Sequence, residues 1–209
     1  MAYRALLSLV TALTLAVLLS TASPARADLV DTLTGGTCAD QVLERPFLRF
    51  ADPLTYVLAP GGDFEAGSPA WTLSGGAAVV EGNEPFKLRN ASDAQSLDLP
   101  AGASATSPAM CVGLLHPTLR HVARNNGGLL SRLNVEVLFA DASGRVHAVP
   151  LAPVIGLPGS WAPTLPTPLL VNLATPLIED MRRIALRFSV PEGGDGWQID
   201  DVFVDPYRK

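Results

Sequence analysis

Hydrophobic and polar residues alternate with a period of two in two stretches of this chain. Leu133, Val135, Val137 and Phe139 oppose Arg132, Asn134 and Glu136, and Ile184, Leu186, Phe188 and Val190 oppose Arg183, Arg187 and Ser189. Successive side chains of a strand point to opposite faces, so this spacing predicts two half-buried antiparallel strands and not helices. The first runs into the turn-forming Asp141-Ala142-Ser143-Gly144 and then residues 145–151, which predicts a hairpin. Shorter apolar runs predict strands at residues 54–58, 71–73, 77–80, 95–99, 105–112, 118–124 and 197–204, with Gly, Pro, Asn or Asp in almost every gap. Many short strands separated by such breakers predict a sandwich or barrel. Eighteen prolines deny the chain long helices. Residues 157–168, which hold Pro158, Pro163, Pro166 and Pro168, read as an irregular loop, and only residues 175–181 could hold a short helical turn.

The N-terminus reads differently. Arg4 precedes an apolar run over residues 5–19, and a small-residue stretch closes on Ala25-Arg26-Ala27, the pattern of a signal peptide over residues 1–27. The run is shorter than the ~20 residues that span a bilayer, and no later run comes closer, so no transmembrane anchor is expected after cleavage. Cys does not follow the cleavage point, and the tail Asp205-Pro206-Tyr207-Arg208-Lys209 is no sorting helix. These features predict a secreted, extracellular protein. The remainder is long enough for one core and short for two, which predicts a domain over residues 54–209 preceded by an extension over residues 28–53. Two cysteines, Cys38 and Cys111, remain in an exported chain and predict a disulfide that ties the extension to the domain. They lack the C-x-x-C spacing of redox catalysis.

Composition narrows the partners. The full chain has a formal charge of −5, spread without single-sign runs, which argues against nucleic acid and anionic membrane. Lys87 and Lys209 are the only lysines beside abundant Arg, Ala, Gly and Pro, a bias typical of a GC-rich bacterial genome. Catalytic motifs are missing. His116, His121 and His147 have no zinc spacing and read as surface or turn residues. No nucleophile elbow or phosphate-binding glycine loop occurs, and Gly193-Gly194-Asp195-Gly196 reads as a strand connection. Asn90-Ala91-Ser92 matches a glycosylation sequon, a signal without value in a bacterium.

Two segments carry a resemblance. Gly61-Gly62-Asp63-Phe64-Glu65 followed by Trp71-Thr72-Leu73-Ser74-Gly75-Gly76, and Ile199-Asp200-Asp201-Val202 preceded by Trp197, resemble the opening and closing strands of galactose-binding-like jelly rolls. That is the fold of many carbohydrate-binding modules. The resemblance implies an antiparallel jelly-roll β-sandwich with a structural calcium ion held by Glu65, by Asp200 or Asp201, and by backbone carbonyls such as that of Gly61. End strands lying side by side would gather these carboxylates, and oxygen donors suit a hard cation. The alternative is a solvated acidic strand end.

Sugar recognition on a sandwich rests on an exposed aromatic and polar side chains. Trp71 and Trp197 belong to the framework and are expected to be buried, so Trp161 is the platform candidate; a packing anchor on the sandwich rim is its other reading. Arg120, Arg124, Arg132, Asn134 and Glu136 could line a solvated sheet face and bind a polar ligand, or simply stay hydrated. The function expected is a non-catalytic binding module for an extracellular or cell-wall polysaccharide. A structural or protein-interaction sandwich with an envelope protein as partner is the alternative, and a hydrolase using Glu65 with Asp200 or Asp201 ranks third.

Overall fold

The computed structural model describes residues 24–35, 38, 41–68, 70–113, 117–169 and 181–206. Residues 1–23 of the expected leader over 1–27, His116, and residues 175–180 of the expected helical turn over 175–181 lie outside the described residues. A helix α1 (Pro24–Thr34) is followed by strands β1 (Val57–Leu58), β2 (Thr72–Ser74), β3 (Ala78–Glu81), β4 (Gln95–Leu99), β5 (Ser104–Thr106), β6 (Met110–Gly113) and β7 (Thr118–Asn125). The chain continues through β8 (Asn134–Ala140), β9 (Val146–Pro150), β10 (Trp161–Pro163), β11 (Thr167–Pro168), β12 (Met181–Ser189) and β13 (Trp197–Asp205). One sheet has the order β10-β7-β13-β4-β3, with β1 on β13 and β11 on β7; the other has the order β2-β5-β12-β8-β9, with β6 on β12. Every pairing between these strands is antiparallel. This is the sandwich that the alternation predicts.

The inner rows follow the predicted parity. Val135, Val137 and Phe139 of β8 and Ile184, Leu186 and Phe188 of β12 face Leu97, Leu99, Trp197 and Ile199 of the first sheet, all buried in one core. The predicted run at residues 105–112 is divided into β5 and β6, which both pair with β12. Ser107 sits at the break. Its N–H donates to the Leu186 carbonyl and its hydroxyl accepts the Leu186 N–H, so a side chain completes the ladder just before Pro108, which has no N–H to give.

The proline-rich segment is a correction. Residues 157–168 were expected as an irregular loop, yet Trp161–Pro163 and Thr167–Pro168 pair with β7 as β10 and β11. An edge strand needs N–H groups on one side only, so proline is tolerated there.

The N-terminal residues touch both sheets. Leu29 and Leu33 of α1 pack on Leu138 and Ala185, the outward side of the second sheet, and Arg183 Nε donates to the Thr32 carbonyl at 2.8 Å. Further on, Phe47 and Tyr56 cover Val122 and Phe203 on the outward side of the first sheet. Cys38 and Cys111 are bonded between these two contacts, with Cα atoms 5.7 Å apart and 73 residues of separation. Closing a loop of that length stabilises a fold by about 4 kcal/mol in the chain-entropy model. Reduction is therefore expected to lower the unfolding free energy by that amount, read from urea curves with and without dithiothreitol; in unreduced protein neither thiol should alkylate.

Candidate functional site

The outward side of the first sheet divides into a covered part and an open part. In β7, Leu119 and Ala123 point into the core, which leaves Arg120, Val122 and Arg124 outward. Register then lines up one row across five strands: Trp161 of β10 beside Arg124 of β7, Arg124 beside Gln198 of β13, Gln198 beside Asp98 of β4, and Asp98 beside Ala78 of β3. Trp161, Arg124, Gln198 and Asp98 are all half-buried, and Ala78 is exposed. Strands lie ~4.8 Å apart, so the row from Trp161 to Asp98 is ~14 Å long. It offers an aromatic face, a guanidinium, an amide and a carboxyl in sequence. Trp161 is anchored at one edge against the Phe47, Tyr56, Val122 and Phe203 cluster, which combines both readings of that residue. Arg124 Nη1 donates to Gln198 Oε1 at 3.5 Å, while Arg124 Nε has no partner. Partial burial pushes the Asp98 carboxyl above its ordinary range.

Arg120, although on the same strand and face, belongs to the covered part. It is 5% exposed, pairs with Asp52, donates from Nε to the Thr164 carbonyl at 2.8 Å and lies over the Phe47 ring at 4.4 Å. Tyr56 also donates to Asp52, at 2.7 Å. Burial raises the Asp52 carboxyl, but hydrogen bonds from Tyr56, Leu54 and Arg120 outweigh it and hold the group below its usual value. The expectation that Arg120 lines a solvated face is corrected: residues 47–56 cover it.

Arg132, Asn134 and Glu136 lie elsewhere. Asn134 and Glu136 face outward on β8 of the second sheet, where Glu136 is paired to Arg187 at 2.6 Å. Arg132 lies on an open cleft of about 520 Å³ with Leu129, Leu130 and Asp195, at the loop end of the sandwich. The structure therefore separates the expected polar row and keeps Arg124 with Trp161. Asp98 and Gln198 were missed. Their signal was present, since each is a lone polar residue between apolar neighbours of a strand, Leu97-Asp98-Leu99 and Trp197-Gln198-Ile199, and so must point outward.

The opening and closing segments do lie side by side. β1 pairs with the end of β13, and Val202 is held on both sides of its peptide by the opening segment, its N–H donating to the Gly62 carbonyl and its carbonyl accepting the Ala59 N–H. A Cβ on Gly62 would sit 3.0 Å from the Ala59 and Val202 carbonyl oxygens, which explains a glycine there. The carboxylates are distributed differently from the set the resemblance implies. Glu65 Oε1 accepts the N–H groups of Ala94 and Gln95 at 2.9 and 2.8 Å, and the Gly61 carbonyl accepts the Phe64 N–H. Asp200 and Asp201, set on a bulge of β13 with Asp201 at φ 48°, are buried beside Glu84 and Asp93. Glu84 caps its loop through the N–H groups of Phe86 and Leu88, and Asp200 accepts the N–H groups of Glu84 and Asp201. Asp201 Oδ1 is buried with no partner. Burial, and then the neighbouring acids, push Asp200 up to about 9 and Asp201 up to about 8. Among the described residues no three Asp, Glu, His or Cys side chains group as metal ligands.

Of the two described histidines, His121 differs from expectation. His121 is no surface residue: it is 2% exposed between the sheets, edge-on to Phe188 with ring centres 5.1 Å apart, and neither ring nitrogen has a partner. It shares the core parity of Leu119 and Ala123, and burial brings its pKa down to about 3. His147 is half-buried, stacks on Phe139 and bonds Asp141 at 2.7 Å. That hydrogen bond is the largest of the contacts that lower the Asp141 carboxyl, followed by the Ser143 and Arg145 donors of the hairpin turn.

Two antiparallel sheets, a closing strand beside the opening segment and a buried Trp71–Phe64 pair under that segment form a jelly-roll β-sandwich. Solved structures with this fold include the xylan-related modules of two bacteria. One is the N-terminal part of endo-1,4-β-D-xylanase 10B of Clostridium thermocellum, a family 22 carbohydrate-binding module with its glycoside hydrolase module complexed with xylohexaose: 14% identity, TM-score 0.50, 73% of this chain and 28% of that one. Another is the tandem of family 22 modules from xylanase 10C of Paenibacillus barcinonensis: 13% identity, TM-score 0.50, 83% of this chain and 49% of that one. The enzymatically active domain of tailspike protein 4 of bacteriophage CBA120 matches at 14% identity and TM-score 0.48, over 70% of this chain and 21% of that one. The chain thus spans about half or less of each of these chains. No protein-family model matches it, and no curated protein sequence matches it.

Proposed function

We propose that this protein is a secreted, non-catalytic module that binds polysaccharide along the row Trp161–Arg124–Gln198–Asp98. The register of that row carries the reading: one aromatic and three hydrogen-bonding groups are displayed in line on an open sheet face. A sugar ring is apolar on its faces and polar on its rim, and it is matched by a tryptophan flanked by donors and acceptors. Similar structures are carbohydrate-binding modules, which supports the reading. Affinity electrophoresis of the protein in gels containing xylan, galactan, polygalacturonate or glucuronoxylan tests it. At least one polymer should retard wild type, and Trp161→Ala should remove that retardation while lowering the melting temperature by only a few degrees. Large destabilisation with binding retained would make Trp161 a packing anchor alone.

Calcium belongs to the same proposal, with its place redrawn. Glu84, Asp93 and Asp200 are buried in the field of Asp201 without closing into a three-carboxylate ligand set, and Asp201 Oδ1 is orphaned among oxygen donors. Asp201 with Asp93 and neighbouring carbonyls would hold the ion, which would supply positive charge and rigidity and no chemistry. Calcium at about a thousand times its dissociation constant stabilises a fold by roughly 4 kcal/mol. Chelation should lower the melting temperature, calcium should restore it, and Asp201→Asn should erase that response while Glu65→Gln keeps it. Loss of the response in Glu65→Gln alone would return the ion to the set the resemblance implies.

A further inference from the structure

We propose that the ligand of this face is an acidic polysaccharide, whose sugar carboxylates are taken by Arg124. The inference rests on the row being a sugar platform and adds the substrate class. It starts from a contrast among arginines. Every other arginine described as buried or half-buried has a carboxylate or a carbonyl: Arg89 has Asp63, Arg120 has Asp52 and the Thr164 carbonyl, Arg182 the Ala140 carbonyl, Arg183 the Thr32 carbonyl and Arg187 Glu136. Arg124 has only a long contact of 3.5 Å to the neutral Gln198, and its Nε is buried with no partner.

A guanidinium presents five donors in a fixed fork, and a half-buried one loses hydration that an amide oxygen at that distance does not replace. Its complement is a carboxylate, which accepts two parallel N–H bonds. Asp98 is not that complement: no ion pair joins it to Arg124. Gln198 stands between them on β13, so the two lie two strand spacings apart, ~9.6 Å. The site is therefore polarised: a cation beside Trp161 at one end, a carboxyl at the other. A uronic acid residue stacked on Trp161 would place its carboxylate within reach of Arg124, with the next sugar's hydroxyls toward Gln198 and Asp98. The chain as a whole carries a formal charge of −5, so attraction to a polyanion must come from this local fork and not from a general basic surface.

Isothermal titration of the full chain as exported, against polygalacturonate and glucuronoxylan and against neutral galactan and unsubstituted xylan, tests this at low and at high sodium chloride. Wild type should bind an acidic polymer at least tenfold tighter than any neutral one, with the preference shrinking as salt rises. Arg124→Gln should lose the preference, Arg124→Lys should keep part of it through charge without the fork, and Trp161→Ala should lose all binding; melting curves confirm that each variant is folded. Neutral polymers bound as tightly as acidic ones, in wild type and Arg124→Gln alike and still through Trp161, would overturn the acidic ligand and leave the platform standing. No binding of any polymer, or binding indifferent to Trp161, would overturn the platform itself.

Discussion

Asp52→Ala is expected to destabilise the protein by about 3–5 kcal/mol, although it touches neither the main core nor the sugar row. Among the described residues Asp52 is the carboxylate paired with Arg120, whose side chain is buried beneath residues 47–56 and stacked on Phe47. Breaking a buried pair from one side leaves a charge in a poorly hydrated place, and that residue, not the lost bond, dominates the cost. Tyr56 loses its acceptor as well. Urea unfolding at pH 7 reads the effect. The double variant Asp52→Leu, Arg120→Met should recover most of the loss, because well-packed apolar groups replace a buried ion pair with little penalty. A single-variant cost below about 1 kcal/mol would show that water reaches Arg120 and that residues 47–56 do not seal the lower half of the sheet.

Acid should weaken the fold through His121. The imidazole stays neutral in the native core down to about pH 3, whereas in the unfolded chain it takes a proton below its ordinary value of 6.5. Between those limits the unfolded state binds the extra proton at this residue, so the His121 contribution to stability falls as pH falls through that window, while the raised carboxyls of Asp200 and Asp201 contribute with the opposite sign. Each unit is worth about 1.4 kcal/mol, which makes the loss about 2.7 kcal/mol by pH 4.5. His121→Leu keeps the volume roughly and removes the titration. From pH 7.5 to pH 4.5 its unfolding free energy should gain on that of wild type by about that amount in urea titrations at the two pH values, because Asp200 and Asp201 act alike in both proteins and cancel in the difference. Parallel losses in the two proteins would place solvent or a proton acceptor beside the ring.

The strands were legible because burial on one side imprints a period of two: Ile184, Leu186 and Phe188 alternate with residues that meet water or the other partners of β12. Strand pairing was not legible. Nothing local to Trp161 says that it stands beside Arg124; that follows from β10 docking on β7, an edge pairing hidden by the prolines around it. Arg120 and Arg124 have the same parity in one strand, and only the distant residues 47–56 decide that one is sealed and the other open. The neighbourhood of the opening and closing segments was readable from their motifs, yet the fate of single carboxylates was not. Glu65 is satisfied by backbone N–H groups of residues 94 and 95, far away in sequence, and Glu84 and Asp93 come to Asp201 from a loop with no motif. His121 holds a readable position between Leu119 and Ala123, where strand parity outranks the usual exposure of histidine.

A sugar bound by this protein should sit on the Trp161 row. Amide NMR spectra of the isotopically labelled protein, recorded while adding an oligosaccharide of whichever polymer retards it in the gel, locate that place directly. Shifts should concentrate at Asp98, Arg124, Trp161 and Gln198, with the indole signal of Trp161 among the largest. Shifts confined to residues 128–132 and 193–195 at the loop end, or to the outward residues of β8 and β12, with the Trp161 row unmoved, would contradict it.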